Sequence, residues 1–249
     1  MFKALLIAFS TLTPLPVSPK AWKEAELKAS VAYYPLVGAL LGALLALTAK
    51  IHLAHELKTL ILLLLWVVGT AAFHLDGLGD CCDGFFGGET PEDRRRIMKD
   101  PSVGTYGVAA IVLALLFKYT LLSYFLSAGG GWKWLFLIPL AARWAVTLSC
   151  VLFKAPPGSQ GLSSQVVGLP LLGFAIPTVL SLAVAISLLK LQGLMGFVLA
   201  ALIAVGLGYL SKNKIKGLTG DGMGATIELS EAALLFLACL TFSKWFPLL

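Results

Sequence analysis

The amino-acid sequence predicts an all-α fold: a polytopic membrane helix bundle with about seven transmembrane helices plus an N-terminal interfacial or re-entrant segment. Two observations support this prediction. Hydrophobic residues make up 58% of the 249 residues and charged residues only 13%, with a mean hydropathy of +0.89, whereas soluble domains carry about 25% charged residues. The apolar residues also lie in stretches long enough to cross a bilayer as helices. We expect a single integral membrane domain, residues 1–249.

The first apolar segment, residues 1–17, is too short for a span and is interrupted by Thr11, Pro14 and Pro16. It carries one charge and no clear small-residue cleavage site, so a secretory signal peptide is disfavoured. We therefore expect it to be retained as an interfacial or re-entrant segment.

Seven later stretches approach the roughly 20 apolar residues that a spanning helix needs. They cover residues 32–49, 57–75, 105–128, 133–153, 166–189, 193–210 and 229–247. The fifth stretch contains Pro170 and Pro177, so we expect it to be kinked or broken.

The basic residues predict the orientation of these spans. With seven spans, twelve Lys and Arg residues fall on the side of the N-terminal segment and only five, Lys244 among them, on the opposite side. Because cytoplasmic loops are enriched in Lys and Arg, the first side is predicted to be cytoplasmic. The protein is accordingly predicted to be a multi-pass protein of the cell (cytoplasmic or inner) membrane, and its lysines form no basic patch of the kind that binds nucleic acid.

The acidic residues are concentrated on the same predicted side, seven of the 13 within residues 76–100. If the second span's helix continues through this segment, Asp76, Asp80 and Asp83 stand at i, i+4 and i+7 and share one face. Three carboxylates on one face repel one another unless a cation lies between them, and oxygen ligands of this kind suit Mg²⁺. We predict that these three residues are catalytic and bind magnesium. A solvated acidic helix end is the alternative.

A second acidic segment, residues 219–231, contains Asp221 among three glycines and Glu228 at the start of the last span. Both carboxylates are predicted to be catalytic, as further metal ligands or as the general base for an attacking hydroxyl. Thr219 is a predicted substrate contact. Glu231 is interpreted as a carboxylate at the positive end of the helix dipole.

Basic residues near carboxylates are natural phosphate ligands. The arginine run at residues 94–96 serves either as a phosphate clamp or as a topology signal, and Lys99 and Asp100 after it are predicted to bind substrate. Lys118 and Arg143 lie inside apolar spans, where charges are costly and usually functional. Both are predicted to bind substrate, although Lys118 could instead extend to the interface.

His74 precedes the aspartates and is predicted to contact substrate or a ligand residue, with simple packing as the alternative. The adjacent Cys81 and Cys82 have no second pair at ligand spacing, so they are a poor match to a zinc site.

Five ordered motifs carry a resemblance to a known family: TPLPVS, YYPLVGALLG, FHLDGLGDCCDGFFGG, RRRIMKDPSVGTYGV and TGDGMGATIELSE. With these motifs the chain resembles the cobalamin synthases, the adenosylcobinamide-GDP ribazoletransferases, over nearly its whole length. One departure is Pro14, which stands where the family usually has an arginine, so a phosphate-binding role for that arginine does not carry over.

The resemblance implies a magnesium-dependent membrane transferase of cobalamin biosynthesis. Its substrates would be adenosylcobinamide-GDP and α-ribazole or α-ribazole 5′-phosphate, with attack at the β-phosphorus and release of GMP. The products would be adenosylcobalamin or its 5′-phosphate. The expected partners are these substrates and the lipid bilayer, with a homo-oligomer or other cobalamin-assembly enzymes left open.

Two other classes are disfavoured by the same residues. CDP-alcohol phosphotransferases place an Ala-Arg pair after the second Asp-Gly, whereas Phe85 and Phe86 follow Asp83-Gly84 here. Ion transporters usually carry carboxylates near the bilayer midplane, whereas here the acidic residues gather near the predicted membrane boundary.

Overall fold

The computed structural model describes residues 2–242, and within that range it contains helices and connecting turns without any β-strand. The predicted all-α fold is confirmed. A short 3-10 turn joins the second and third helices. The helices are α1 (Phe2–Leu12), α2 (Glu24–Ser30), α3 (Tyr34–Thr48), α4 (His55–Val68), α5 (Phe73–Gly87), α6 (Pro91–Ile97), α7 (Thr105–Ser127), α8 (Trp132–Leu152), α9 (Leu162–Gln165), α10 (Leu172–Ile215) and α11 (Gly220–Thr241).

Several of these helices are long and apolar enough to cross a membrane, so the chain is a multi-pass membrane protein. Among the described residues there are five such stretches, or six if the bent pair α4–α5 is counted as one span. The predicted number of seven is therefore not confirmed. The last predicted span, 229–247, extends past the described residues, and Lys244 lies outside them. The five stretches are Glu24–Thr48, Thr105–Ser127, Trp132–Leu152, Gly173–Ile215 and Gly220–Thr241.

Helix α10 consists of two segments that meet at Lys190, where the backbone leaves the helical region (φ 51°, ψ −127°). In a straight helix residues 185 and 193 would lie about 12 Å apart along the axis. Here a Cβ added to Gly193 would lie 2.3 Å from the Ala185 carbonyl oxygen, so the chain folds back on itself. The reversal falls between the predicted spans 166–189 and 193–210.

The second predicted span does not continue through the aspartates. Helices α4 and α5 are bent by 76° relative to each other, and the break carries Ala71 and Ala72 with positive φ angles of 48° and 58°. The predicted continuation of the 57–75 helix is therefore wrong. The aspartates instead lie on a separate helix, α5, whose direction is set by this bend.

Helix α8 lies at the centre of the bundle and is buried along most of its length. Helix α3 packs closely on it through two glycines: a Cβ on Gly38 would lie 2.2 Å from the Pro139 carbonyl oxygen, and one on Gly42 would lie 2.3 Å from that of Phe136. The other side of α8 faces α10 and α11, where Trp144 packs against Phe197. This packing holds α11 beside α5.

The N-terminal helix α1 has 11 residues, shorter than the roughly 20 that a span needs. Its buried side chains, Ile7, Ala8 and Leu12, pack in a cluster with Leu27 of α2 and Val146 of α8. Helix α1 therefore belongs to the folded bundle.

Candidate active site

The three predicted aspartates lie on one helix, α5, as their spacing indicates. Asp76 is exposed, Asp80 is half-buried and Asp83 is buried. The side chains therefore run from the surface into the protein, and they differ in how freely they can reach a ligand.

Two glycines bring the second acidic segment against this helix. A Cβ on Gly77 of α5 would lie 2.8 Å from the Asp221 carbonyl oxygen, and one on Gly224 of α11 would lie 3.2 Å from the His74 Cα. Because neither position leaves room for a larger side chain, the backbones of α5 and α11 approach closely. The structure thus brings Asp221 to the α5 aspartates, although about 140 residues separate the two segments in sequence.

Asp83 is engaged by the start of α7. Its Oδ2 accepts a hydrogen bond from the Gly104 backbone N–H at 2.7 Å, and its Oδ1 accepts one from the Gly107 N–H at 2.8 Å. The first N–H groups of a helix lack partners within the helix, and a carboxylate there satisfies them and favours the dipole. Asp83 therefore joins α5 to α7.

The other aspartates form a site with uncompensated negative charge. Asp80 is within electrostatic range of Asp221, Asp76 and Asp83, and Asp221 is attracted by Lys99. Among residues 2–242, no Lys or Arg forms an ion pair with Asp76, Asp80 or Asp221. Like charges held this close favour a bound cation. Over the same residues, however, no three His, Cys, Asp or Glu side chains converge as a ready metal site.

Three other predicted site residues lie at the same end of the bundle. Lys99 is exposed, and with Asp221 it lines a shared cavity. Asp100 accepts a hydrogen bond from the Ser102 N–H at 2.9 Å, and Thr219 Oγ1 accepts one from the Gly222 N–H at 3.2 Å. Asp100 therefore stabilises a turn and Thr219 caps α11, and their substrate contacts stay predictions.

The remaining predicted residues form a buried ion-pair network that connects four helices. Lys118 of α7 contacts Glu228 and Glu231 of α11 at 2.6 Å each. Arg143 of α8 donates to the other oxygen of Glu231. The Arg143 Nη2 is also 3.5 Å from the His74 Nδ1 of α5. Two cations and two carboxylates thus neutralise one another inside the bundle.

This network lies deeper in the protein than the aspartates. Glu228 follows Asp221 by seven residues, about 10 Å along α11, and the charges acting on it are Lys118, Glu231 and Arg143. The structure therefore does not bring Glu228 to the aspartate site. In this structure the network side chains bind one another. The catalytic role of Glu228 and the substrate contacts of the other network residues stay predictions.

Glu231 is the residue that sequence reasoning assigned to the wrong interaction. It lies 11 residues into α11, too far from the first turn to interact with the dipole. Instead it binds both buried cations. The available signal was the pair of cations in apolar spans, because such charges need buried partners of opposite sign.

Two of the arginines at residues 94–96 attach α6 to the end of α10. Arg94 donates to the Lys214 carbonyl at 3.2 Å and Arg95 to the Ile215 carbonyl at 2.9 Å. Cationic side chains satisfy the last carbonyls of a helix and favour its dipole. This contact holds Lys99 beside the start of α11.

Two cavities differ in character. A polar cavity of about 190 Å³ lies beside Asp221. A larger cavity of about 700 Å³ between α3, α8 and α10 is lined mainly by apolar side chains and contains none of the predicted site residues. Of these two cavities, the polar one, where the end of α6 meets the start of α11, is therefore the one that contains predicted site residues.

Known proteins match the chain over nearly its full length. A family model described as cobalamin-5-phosphate synthase matches residues 4–239. A protein of Prosthecochloris aestuarii named adenosylcobinamide-GDP ribazoletransferase is 38% identical over 241 residues, covering 93% of this chain and 95% of the relative. Proteins of the same name from Chlorobaculum tepidum and Pseudomonas aeruginosa are each 34% identical, covering 96% and 94% of this chain and 96% of each relative. No solved structure matches the chain significantly.

Proposed function

This chain belongs to the cobalamin-5-phosphate synthase family and is a transferase of cobalamin biosynthesis, and we propose that it joins adenosylcobinamide-GDP to α-ribazole or α-ribazole 5′-phosphate. The products are adenosylcobalamin or its 5′-phosphate, and GMP. The observation that supports this proposal most is the close packing of α5 on α11, which puts the Asp221 backbone against Gly77 and the Asp221 carboxylate within electrostatic range of Asp80, because transfer of a phosphate ester needs charge control around its oxygens.

The bond changes define what the site must do. A ribose hydroxyl of the ribazole attacks the β-phosphorus, because the 5′-phosphate is retained in the product. The new O–P bond forms as the bond from that phosphorus to the bridging oxygen breaks, and GMP leaves with the electron pair. The hydroxyl proton passes to a carboxylate of the site, for which Asp80 and Asp221, both half-buried, are the proposed acceptors.

Magnesium is the proposed cofactor, and the donor set fits it. Mg²⁺ binds through one or two carboxylates and keeps positions for water and phosphate oxygens, so a three-residue protein cage is not required. Asp80 with either Asp76 or Asp221 would hold it, since the charges of these aspartates have no ion-pair partner among residues 2–242. Bound there, it would neutralise charge on the phosphate oxygens. Asp83, predicted as a third ligand, accepts two hydrogen bonds at the α7 N-terminus, and its role as a ligand stays a prediction.

The proposed setting is the cell (cytoplasmic or inner) membrane, with the aspartates facing the cytoplasm. The excess of Lys and Arg on the side of residues 76–104 supports that orientation. The lipid bilayer surrounds the apolar helices. A homo-oligomer or a complex with other cobalamin-assembly enzymes stays a prediction.

The activity is tested with purified protein in liposomes, given adenosylcobinamide-GDP and either ribazole substrate. GMP and the corrinoid product are quantified by chromatography, with magnesium or with EDTA. Formation of GMP and product in equal amounts, lost in EDTA and restored by added magnesium, is expected. A folded sample that forms neither compound would contradict the proposed function.

A further inference from the structure

A polar cavity beside Asp221 is formed by three separate parts of the chain. Its walls are the end of α6 with Lys99, the segment 155–164, which follows α8 and includes the first residues of α9, and the start of α11. Its volume of about 190 Å³ corresponds to roughly six water molecules. That suits a single phosphate group with its ester oxygens and is smaller than the roughly 300–1,000 Å³ of pockets that enclose a whole drug-sized ligand.

The 155–164 wall is anchored to the chain that leads into α11. The Leu218 N–H donates to the Lys154 carbonyl at 2.9 Å. A Cβ on Gly217 would lie 2.3 Å from the Pro156 backbone nitrogen, so the two backbone segments lie in direct contact. The wall is therefore built against the same helix that carries Asp221.

One hydroxyl group of this wall lies beside the residue that precedes Asp221. Ser163 is half-buried and lies directly over Gly220: a Cβ on that glycine would be 3.4 Å from the Ser163 Cβ and 3.5 Å from its Oγ. Gly220 is adjacent to Asp221, so the Ser163 hydroxyl is placed at the edge of the catalytic carboxylates. Ser164 donates to the Gly161 carbonyl at 2.8 Å, which fixes the turn that presents Ser163.

The charges around the cavity favour an anion with a cation beside it. Lys99 and Arg95 line one side and Asp221 the other. Arg95 is already bound to the Ile215 carbonyl and to Glu92. Of the two basic side chains that line the cavity, Lys99 is therefore the one whose charged group is available for a ligand. Hydroxyl and ammonium donors that line one small cavity are typical of phosphate recognition.

We propose that this cavity binds a phosphate group of the substrates, with Lys99 and Ser163 as the residues that contact it. The proposal rests on the proposed function and extends it to the 155–164 segment. The phosphate has two sources: the GMP half of adenosylcobinamide-GDP, or the 5′-phosphate of α-ribazole 5′-phosphate. Either source places a phosphate oxygen beside the carboxylates that hold the cation.

The test compares Ser163→Ala and Lys99→Met with two matched control variants, Ser127→Ala and Lys133→Met, at exposed positions elsewhere. KM and kcat are measured for adenosylcobinamide-GDP, α-ribazole and α-ribazole 5′-phosphate. We expect at least a tenfold rise in KM for one phosphate-bearing substrate in both cavity variants, with kcat changed less than threefold.

The pattern of the effect identifies the source of the phosphate. A higher KM for adenosylcobinamide-GDP, with weaker inhibition by GMP, assigns the cavity to the GMP half. A higher KM for α-ribazole 5′-phosphate but not for α-ribazole assigns it to the 5′-phosphate. Unchanged KM values for all three substrates, or equal changes in the control variants, would overturn the proposal.

Calorimetric binding of GMP and of inorganic phosphate separates this proposal from the proposed function, because it requires no turnover. We expect the wild type to bind at least one of the two probes and both cavity variants to bind it at least fivefold more weakly. Wild-type protein that turns over its substrates while the variants bind both probes with unchanged affinity would overturn the cavity assignment alone.

Discussion

Lys118 contacts both buried glutamates of α11, so replacing it tests the ion-pair network directly. Its ammonium lies 2.6 Å from Glu228 and 2.6 Å from Glu231, with only 3% of its side chain exposed. In Lys118→Met the two carboxylates would share Arg143 alone. A single buried negative charge would then be left without compensation in a low-dielectric interior.

The expected cost follows from that imbalance. Removing one partner of a buried ion pair costs about 3–5 kcal/mol, and for a chain of this size 1 kcal/mol corresponds to about 2–4 °C in the unfolding midpoint. Lys118→Met should therefore lower the midpoint by about 6–20 °C. Adding Glu228→Gln removes the excess charge and leaves the Arg143–Glu231 pair, so the double variant should recover most of that loss.

The assay is thermal unfolding of purified protein in detergent. It compares the wild type with Lys118→Met, Glu228→Gln and the double variant. Lys133→Met, at an exposed position of α8, is the control and should shift the midpoint by less than about 2 °C. Equal losses in Lys118→Met and the double variant would refute the argument, because they would mean that the two charges are not coupled.

Two further substitutions test backbone contacts. Gly107→Ala should lower the free energy of unfolding by about 1–3 kcal/mol, because the added Cβ would lie 2.3 Å from Asp83 Oδ2. The control Gly206→Ala, with nothing within 4 Å of the added Cβ, should be neutral or stabilising. Equal unfolding midpoints for the two variants would contradict this prediction. Lys190→Gly should raise the unfolding midpoint by a few degrees, because φ is 51° at this position and glycine relieves about 1 kcal/mol of strain. A lower midpoint in this variant would contradict the prediction.

The helices were predictable where hydrophobicity is continuous along one helix. The predicted spans 105–128 and 133–153 match α7 and α8 to within one residue at each end, because a glycine or a charged residue lies within two positions outside each helix end. The break between α4 and α5 was not predictable in the same way. Ala71 and Ala72 take positive φ angles there, and alanine gives no sequence signal for that conformation.

The site was predictable in composition but not in pairing. The spacing of Asp76, Asp80 and Asp83 placed them on one helix, yet it could not show that the amides of Gly104 and Gly107, 21 and 24 residues later, take up Asp83. Ser163 lies in a segment with no acidic or basic motif of its own. It lies over Gly220, next to Asp221, in a segment that the Lys154–Leu218 contact holds against the chain leading into α11.

The buried network shows the same limit. Lys118 and Arg143 were identified as functional because charges in spans are costly, but the pairing of Lys118 with Glu228 joins residues 110 positions apart. Spacing along one helix carries no information about a neighbouring helix. The sequence therefore did not reveal the ion pairs of Lys118 and Arg143 with the glutamates of α11, and their substrate contacts stay predictions.

Asp80 and Asp221 are proposed to form one cation-dependent phosphotransfer site, and the magnesium dependence of GMP release tests that proposal. The rate is measured against magnesium concentration for the wild type, Asp80→Asn, Asp221→Asn and the exposed control Glu56→Gln. We expect both site variants to lose activity or to need at least tenfold more magnesium, while the control matches the wild type. Wild-type rates and magnesium dependence in both site variants would contradict the claim.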